Sequence, residues 1–260
     1  MKTIKDLETR QRDHYARVSA TYSRRRASIS GVRINDYIDS KIEKMAQWSA
    51  DKPVLLLGCG SHKPGFISRK NLKFIGLDLS IDMLKIFSEK YTDSVLIQAS
   101  AFSLPFKDES ISFVVARGSL HHLPILNKAF GQLKKIMEPK GLIVFLEPFD
   151  DWIVWRTIRK VVYLLSNSLD YQSERTLRME ELKNIVNNND CEIEFVESSG
   201  LFTFLFLRND DISYVSRIFT TSLLFPIVFS FAKMIDALLD MYLIKTTWVF
   251  PELLGRIKKN

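Results

Sequence analysis

Apolar and polar positions through the middle of the chain fall into blocks that read as strand, helix, strand. Val54–Leu57 is a short unbroken apolar run between Pro53 and Gly58, the pattern of a strand buried on both faces. Lys73–Leu77 is a second such run, and it ends in Asp78. Ser80 is placed to cap the helix that follows, Ile81–Tyr91, with Met83 one turn in. Ser94–Gln98 reads as a third strand, 99–106 as a loop and Ile111–Ala116 as a fourth, buried strand. The loop 117–124 carries His121 and His122. Helix Leu126–Met137 stops at Pro139-Lys140-Gly141, and Leu142–Leu146 is a fifth strand closing on Glu147. This alternation predicts an α/β fold, a doubly wound parallel sheet covered on both faces. Ligands in such sheets sit beyond the carboxyl ends of the strands, where Gly58, Asp78, Ser100, Arg117 and Glu147 all fall.

The flanks follow other periods. Residues 1–48 are helical in pattern, with Ile34, Tyr37, Ile38, Ile42, Met45 and Ala46 recurring at three- and four-residue steps. Tyr15 and Tyr22, seven apart, read as core anchors or as an aromatic arm able to close over a ligand. Beyond the fifth strand, 151–166 is amphipathic. Trp152, Trp155, Ile158, Val162 and Leu165 share a face opposite Arg156 and Lys160. Met179–Asn188 reads as a helix, Cys191–Glu197 as a strand and Ser198–Gly200 as a turn before the apolar run Leu201–Leu207. Residues 211–245 are an apolar helical segment that Pro226 should kink or split, with Asp236 and Asp240 on a more polar continuation. Its uncharged core, Ile218–Ala232, falls short of the ~20 residues a bilayer crossing needs.

A chain of 260 residues buries one good core, so a single domain is expected. It divides into a helical arm (1–48), a ligand-binding core (49–148) and a substrate-side half (149–260). Cys59 and Cys191 fit no disulfide or metal pattern, which points to a reduced, cytoplasmic setting. No metal site is indicated. Of the net charge of +7, most lies in residues 1–50, with eleven Lys/Arg against six Asp/Glu. Arg24-Arg25-Arg26 with Arg33 reads as a solvated basic face or as a site for phosphate or anionic lipid.

Gly58-Cys59-Gly60 lets backbone approach a ligand closely. Asp78, 20 residues past Gly58, stands at about the separation where a doubly wound fold sets a carboxylate on a ribose diol. A nucleotide-like ligand is expected, and the spacing alone does not distinguish a dinucleotide from S-adenosylmethionine. Four stretches decide between them: VLLLGCG, FIGLDLSIDML, ASAFSLPFKDESISFVVARGSLHHL and FGQLKKIMEPKGLIVFLEP, together covering 54–148. In order and spacing the chain resembles the class I S-adenosylmethionine-dependent methyltransferases of the small-molecule type.

The resemblance implies a seven-stranded Rossmann-like enzyme with S-adenosyl-L-methionine as cofactor. Gly58, Cys59 and Gly60 would lie against the methionine moiety and Asp78 on the ribose, with Leu79 and Met83 packing on the adenine. Ala101 and Phe102 would line the adenine pocket, and Arg117 and Gly118 would sit near the sulfonium. The segment 247–258 resembles the family's last antiparallel strand, making about 208–245 an insertion, although Leu201–Leu207 competes for the strand's place. Two positions depart from the family pattern. Ser100 stands where an Asp usually meets the adenine amino group, and His62 where a third glycine is usual.

Methyl transfer needs a base only for an acceptor that loses a proton. His121 and His122 are the candidate catalytic residues, ranked equally, since histidine titrates near neutral pH. Glu147 reads as an acceptor-orienting group or a cap for the following helix. On the substrate side Tyr22, Glu147, Trp152 and Trp155 are expected beside a small or lipid-linked acceptor. The apolar segment then serves a membrane surface, a homodimer face or an extra core layer. The location expected is cytoplasmic or peripheral to the membrane. Two rivals stand. The GCGSHKPGFI loop and the His-His pair also resemble wobble-uridine tRNA methyltransferases, but an apolar C-terminal third disfavours nucleic acid. Ser100 and His62 motivate the other, a non-catalytic cofactor-binding or scaffold relative.

Overall fold

Side chains alternating along the central strands feed two separate cores. Leu55 and Leu57 lie in one with Leu77, Val114, Ala116, Ile143 and Phe145, while Val54 and Leu56 lie in the other with Phe113, Val115, Val144 and Leu146. A sheet covered on both faces requires this, and it explains why the strands read as continuous apolar runs. The computed structural model describes residues 3–46, 51–165, 175–207, 218, 220–221, 223–243 and 251–260.

Two helices, α1 (Ile4–Arg26) and α2 (Ile29–Met45), precede β1 (Val54–Leu57). There follow α3 (Gly65–Arg69), β2 (Phe74–Asp78), α4 (Ile81–Lys90), β3 (Val95–Gln98) and β4 (Ile111–Arg117). A 3-10 turn (Leu120–His122) leads to α5 (Leu126–Ile136) and β5 (Met137–Pro148). Then come α6 (Ile153–Leu165), α7 (Met179–Asn188), β6 (Cys191–Ser198), α8 (Leu201–Leu207), α9 (Phe225–Leu243) and β7 (Glu252–Lys259). The strands form one seven-stranded sheet in the order β3-β2-β1-β4-β5-β7-β6. β1 to β5 pair in parallel, with Leu57 level with Leu77 and Ala116, and β7 runs antiparallel between β5 and β6. The chain changes direction of winding at β1, so the ends of β1 and β4 open a crevice. α5 and α7 cover one face. α2, α3 and α9 cover the other, through Ile34, Ile38, Ile42, Phe66, Phe225 and Phe229.

Two expectations for the C-terminal half change and one holds. Leu201–Leu207 is a helix, and β7 fills the last strand position. Asp236, expected on a polar continuation, is instead buried. It accepts hydrogen bonds from the N–H groups of Phe202 (2.7 Å) and Thr203 (3.0 Å) and from the Thr203 hydroxyl, so α9 caps α8. Those otherwise orphaned donors hold the segment helical despite its strand-like composition. Pro226 marks a break in the apolar segment, as expected: the helical residues Ile218, Thr220 and Thr221 precede a turn at 223–224, and Pro226 falls in the first turn of α9, where a missing N–H costs nothing. The neighbouring stretches 208–217 and 244–250 lie outside the described residues.

α6 is turned differently from its expected face. Trp155 is buried edge-on against Phe204 (centroids 5.2 Å apart), and Arg159 is buried beside it on Asp150 (3.0 Å). Ile153, Val154 and Ile158 are exposed. The ion pair lets a charged side chain take an inward position that the apolar pattern assigned to Ile158. Trp152 is half-buried just ahead of the helix; the side chains of Val162 and Leu165 lie outside those described.

α9 is apolar on both sides. Phe225, Phe229 and Ala232 face the core, while Ile227, Phe231, Met234, Leu238 and Met241 face outward. Among the described residues no helix is long and apolar enough to cross a membrane, and no group of His, Cys, Asp or Glu is arranged to hold a metal ion.

Candidate active site

The turn after β1 fixes the site. Gly58 and Gly60 have φ of +64° and +54°, the left-handed region that side chains disfavour. A Cβ on Gly58 would stand 2.6 Å from the Cβ of Ser119, so no other residue fits between the β1 and β4 loops. A Cβ on Gly60 would meet nothing within 4 Å, because that residue borders open space. The Cys59 N–H donates to the Leu77 carbonyl (3.0 Å), stitching the turn to β2. Burial, and then the neighbouring Asp78, push the Cys59 thiol well up, which keeps it protonated and unreactive.

The space is a cleft of about 1100 Å³ including its open mouth, at the carboxyl ends of β1, β2 and β4. Of the expected cofactor residues, Gly58, Cys59, Gly60, Asp78, Leu79, Met83, Ala101, Phe102, Arg117 and Gly118 all line it. Asp78 accepts hydrogen bonds from the N–H groups of Gly60 (2.8 Å) and Ser80 (2.8 Å), one on each oxygen. Burial raises its carboxyl above the usual range, while the N–H groups of Ser80, Gly60 and Leu79 pull it back. Such a carboxylate is partly desolvated and gains from further donors, such as those of a diol.

Ser100 is the expected cofactor residue that is not on the wall. Its hydroxyl accepts from the Phe102 N–H (3.0 Å) and donates to the Glu8 carboxylate of α1. Glu8, Gln11, Arg12 and Tyr15 form the roof of the cleft, so α1 closes over it. The side chain of Tyr22, further along α1, lies outside those described. His62 is also accounted for. Its Nε2 stands 3.4 Å from Asp39 of α2, a fully buried carboxylate that also accepts from Arg117 Nη1 (2.9 Å) and the Gly65 N–H (2.7 Å). Asn35 accepts from Arg117 Nη2 (2.6 Å). Burial pushes the Asp39 carboxyl up, but Arg117, His62 and Gly65 outweigh it and hold the group below the usual range. Arg117 is thereby neutralised where a free guanidinium would repel a cationic ligand.

The two histidines separate. His121 Nδ1 lies 2.7 Å from Glu147, turned away from the cleft. Glu147 is fully buried and accepts from the N–H groups of Ser119 (2.8 Å), Leu120 (2.7 Å) and His121 (3.4 Å). It holds the loop from behind, and neither it nor Trp152 nor Trp155 reaches the wall. His122 does, with Nε2 3.0 Å from the Tyr15 hydroxyl. Burial first, then repulsion from His121, His14 and Arg159, pushes its imidazole well below 6.5. It is therefore neutral at pH 7. Unfolding restores an ordinary imidazole that binds protons more readily, so this group's stabilising share is full above about pH 6.5 and is lost as pH falls below it. Urea midpoints measured from pH 7.5 to 5 should show that decline, at most about 1.4 kcal/mol per pH unit. His122→Gln should flatten it.

Nothing in the sequence pattern marks Glu8, Gln11, Arg12, Asn35 or Asp39 as site residues, since each reaches the cleft or its lining only through the docking of α1 and α2.

Residues 55–145 match the methyltransferase domain family. Demethylmenaquinone methyltransferase of Staphylococcus carnosus is 34% identical over 76 residues, 28% of this chain and 32% of that one. The chain thus spans about a third of the length of this and similar curated relatives. An S-adenosylmethionine-dependent methyltransferase of known structure from Thermotoga maritima superposes with a TM-score of 0.62 at 14% identity, covering 96% of this chain and 99% of that one. The [4+2]-cyclase SpnF shares the fold as well (TM-score 0.58, 14% identity, 86% of this chain and 81% of that one). The fold and the matched domain are those of the class I S-adenosylmethionine-dependent methyltransferases, and S-adenosylmethionine is the cofactor they imply. The cleft fits it. Backbone approaches at Gly58 and Gly60, a carboxylate waits for a diol, and the wall atoms Ser61 Oγ, Ser119 Oγ and His122 Nδ1 are buried with no partner among the described residues.

Proposed function

We propose that the protein transfers a methyl group from S-adenosylmethionine to a small or lipid-linked acceptor that enters beside His122 and Leu123. The observation that carries this reading is the content of one cleft. It holds a diol-type carboxylate, Asp78, at one end and a neutral, half-buried imidazole joined to a tyrosine hydroxyl at the other. When bound, the cofactor supplies a methyl group already activated on a sulfonium, which leaves alignment and exclusion of water to the protein. The glycine turn and Asp78 fix the donor side, and α1 covers the cleft. For an acceptor that loses a proton, the Tyr15 hydroxyl takes it as its own proton passes to His122 Nε2, a neutral imidazole that burial makes a weaker base than a free one.

An apolar acceptor is supported by the exposed face of α9, which offers a lipid surface large side chains and no charge. The activity named for the Staphylococcus relative gives the acceptor to try first, demethylmenaquinone. The fold alone does not choose the reaction, as the cyclase shows.

The test is formation of S-adenosylhomocysteine from S-adenosylmethionine, with demethylmenaquinone, simple phenols and bulk tRNA offered separately. Turnover with the first two, reduced about 10²-fold in kcat by His122→Ala and by Tyr15→Phe at unchanged donor KM, is expected. Turnover with tRNA alone would replace this reading with RNA methylation. Absence of cofactor binding by the folded protein would replace it with a non-catalytic role.

A further inference from the structure

We propose that Glu8, from the N-terminal helix, is the group that selects a 6-aminopurine in the cofactor. The inference rests on S-adenosylmethionine being the ligand of the cleft. Asp78 sets the ribose end, and beyond it the wall becomes an apolar slot made by Leu79, Met83, Ala101 and Phe102. A flat heteroaromatic ring suits such a slot, and its polar edge then needs a partner at the rim. Ser100 belongs to the right loop but does not supply one, because it stands off the wall with its hydroxyl already engaged on both sides.

What Ser100 does is hold Glu8. Oε1 of Glu8 takes the Ser100 hydroxyl, Oε2 meets no donor among the described residues, and the side chain lies on the cleft wall. Glu8, Gln11 and Tyr15 fall at helical three- and four-residue steps, so one face of α1 carries both the rim carboxylate and the tyrosine that meets His122. A carboxylate only accepts hydrogen bonds at neutral pH. Set at the edge of a purine, it favours an amino group and opposes a carbonyl oxygen. Glu8 is thus a specificity residue supplied by the lid of the cleft, and Ser100 is its positioning residue.

Calorimetry with two non-reacting ligands tests this: S-adenosylhomocysteine, and S-inosylhomocysteine, in which a 6-oxo group replaces the 6-amino group. The wild-type protein is expected to prefer the adenosyl ligand by about tenfold or more, since a site built for a donor rejects the analogue that lacks it. Glu8→Gln, whose amide can donate to the oxo group, should cut that preference about tenfold. Glu8→Ala should weaken S-adenosylhomocysteine by about tenfold while leaving the melting temperature in place. An unchanged preference in Glu8→Gln, with wild-type binding of S-adenosylhomocysteine intact, overturns the assignment to Glu8 alone. Failure of the folded wild-type protein to bind S-adenosylhomocysteine overturns the cofactor reading and this inference with it.

Discussion

Replacing Glu147 by glutamine is expected to destabilise the fold by about 3 kcal/mol, the cost of uncoupling a buried charge from its donors. The carboxylate is fully buried and receives three backbone N–H groups and the His121 imidazole. An amide of the same shape turns one acceptor oxygen into an NH2 group facing those donors, so at least one pair of hydrogens meets head-on. For a domain of this size the loss corresponds to a fall in melting temperature of roughly 6–12 °C. The loop from Ser119 to His122 also loses its anchor, so S-adenosylhomocysteine should bind more weakly even where the variant is folded. A stability from chemical denaturation within about 0.5 kcal/mol of wild type, the scatter of surface substitutions, would show that Glu147 does not organise the loop.

Asp78→Asn is expected to weaken S-adenosylhomocysteine binding about 100-fold. Two charge-assisted hydrogen bonds to a diol contribute about 1.5–3 kcal/mol each, and an amide replaces one acceptor with a donor. The substitution also removes an acceptor from Gly60 or Ser80, whose N–H groups hold the turn against β2. Part of the loss therefore comes from the protein's own geometry. The carboxyl is raised by burial in the free protein, so a neutral side chain there is tolerated by the fold more readily than by the ligand. Calorimetry on the folded variant separates the two contributions, and an affinity within threefold of wild type (about 0.7 kcal/mol) would remove Asp78 from the ribose.

The parallel half of the sheet is legible in the sequence because local pattern and tertiary placement agree there. A strand buried on both faces is an unbroken apolar run, and Val54–Leu57 and Ile111–Arg117 occur where such runs do. The glycine turn and Asp78 are legible for the same reason, since their spacing is set by one strand–helix–strand unit. Leu201–Leu207 is not, because seven successive residues with a single polar member carry no period. Asp236, some thirty residues further on, makes the segment a helix. The inward turn of Trp155 and Arg159 depends on Asp150, and a helical wheel does not weigh one ion pair. His121 and His122 are indistinguishable as letters. Glu147 draws one behind the loop and Tyr15 meets the other in the cleft. Ser100 and His62 look like defects when compared with a pattern, yet each has its partner on a helix the pattern does not include.

The position of β7 bears on how the molecule is made. It is the last strand in the chain, yet it lies inside the sheet between β5 and β6. A ribosome that has finished β5 at Pro148 must add about a hundred more residues before Glu252 appears, on the order of ten seconds at ordinary elongation rates. Throughout that time the β5 edge, with Ile143, Val144 and Phe145, has no strand to pair with, and β6 has no neighbour through which to join. An open apolar edge of this kind invites pairing with other chains. The nascent protein therefore depends on whatever shields that edge, a chaperone or its own unfinished C-terminal half, until synthesis delivers the strand that closes it.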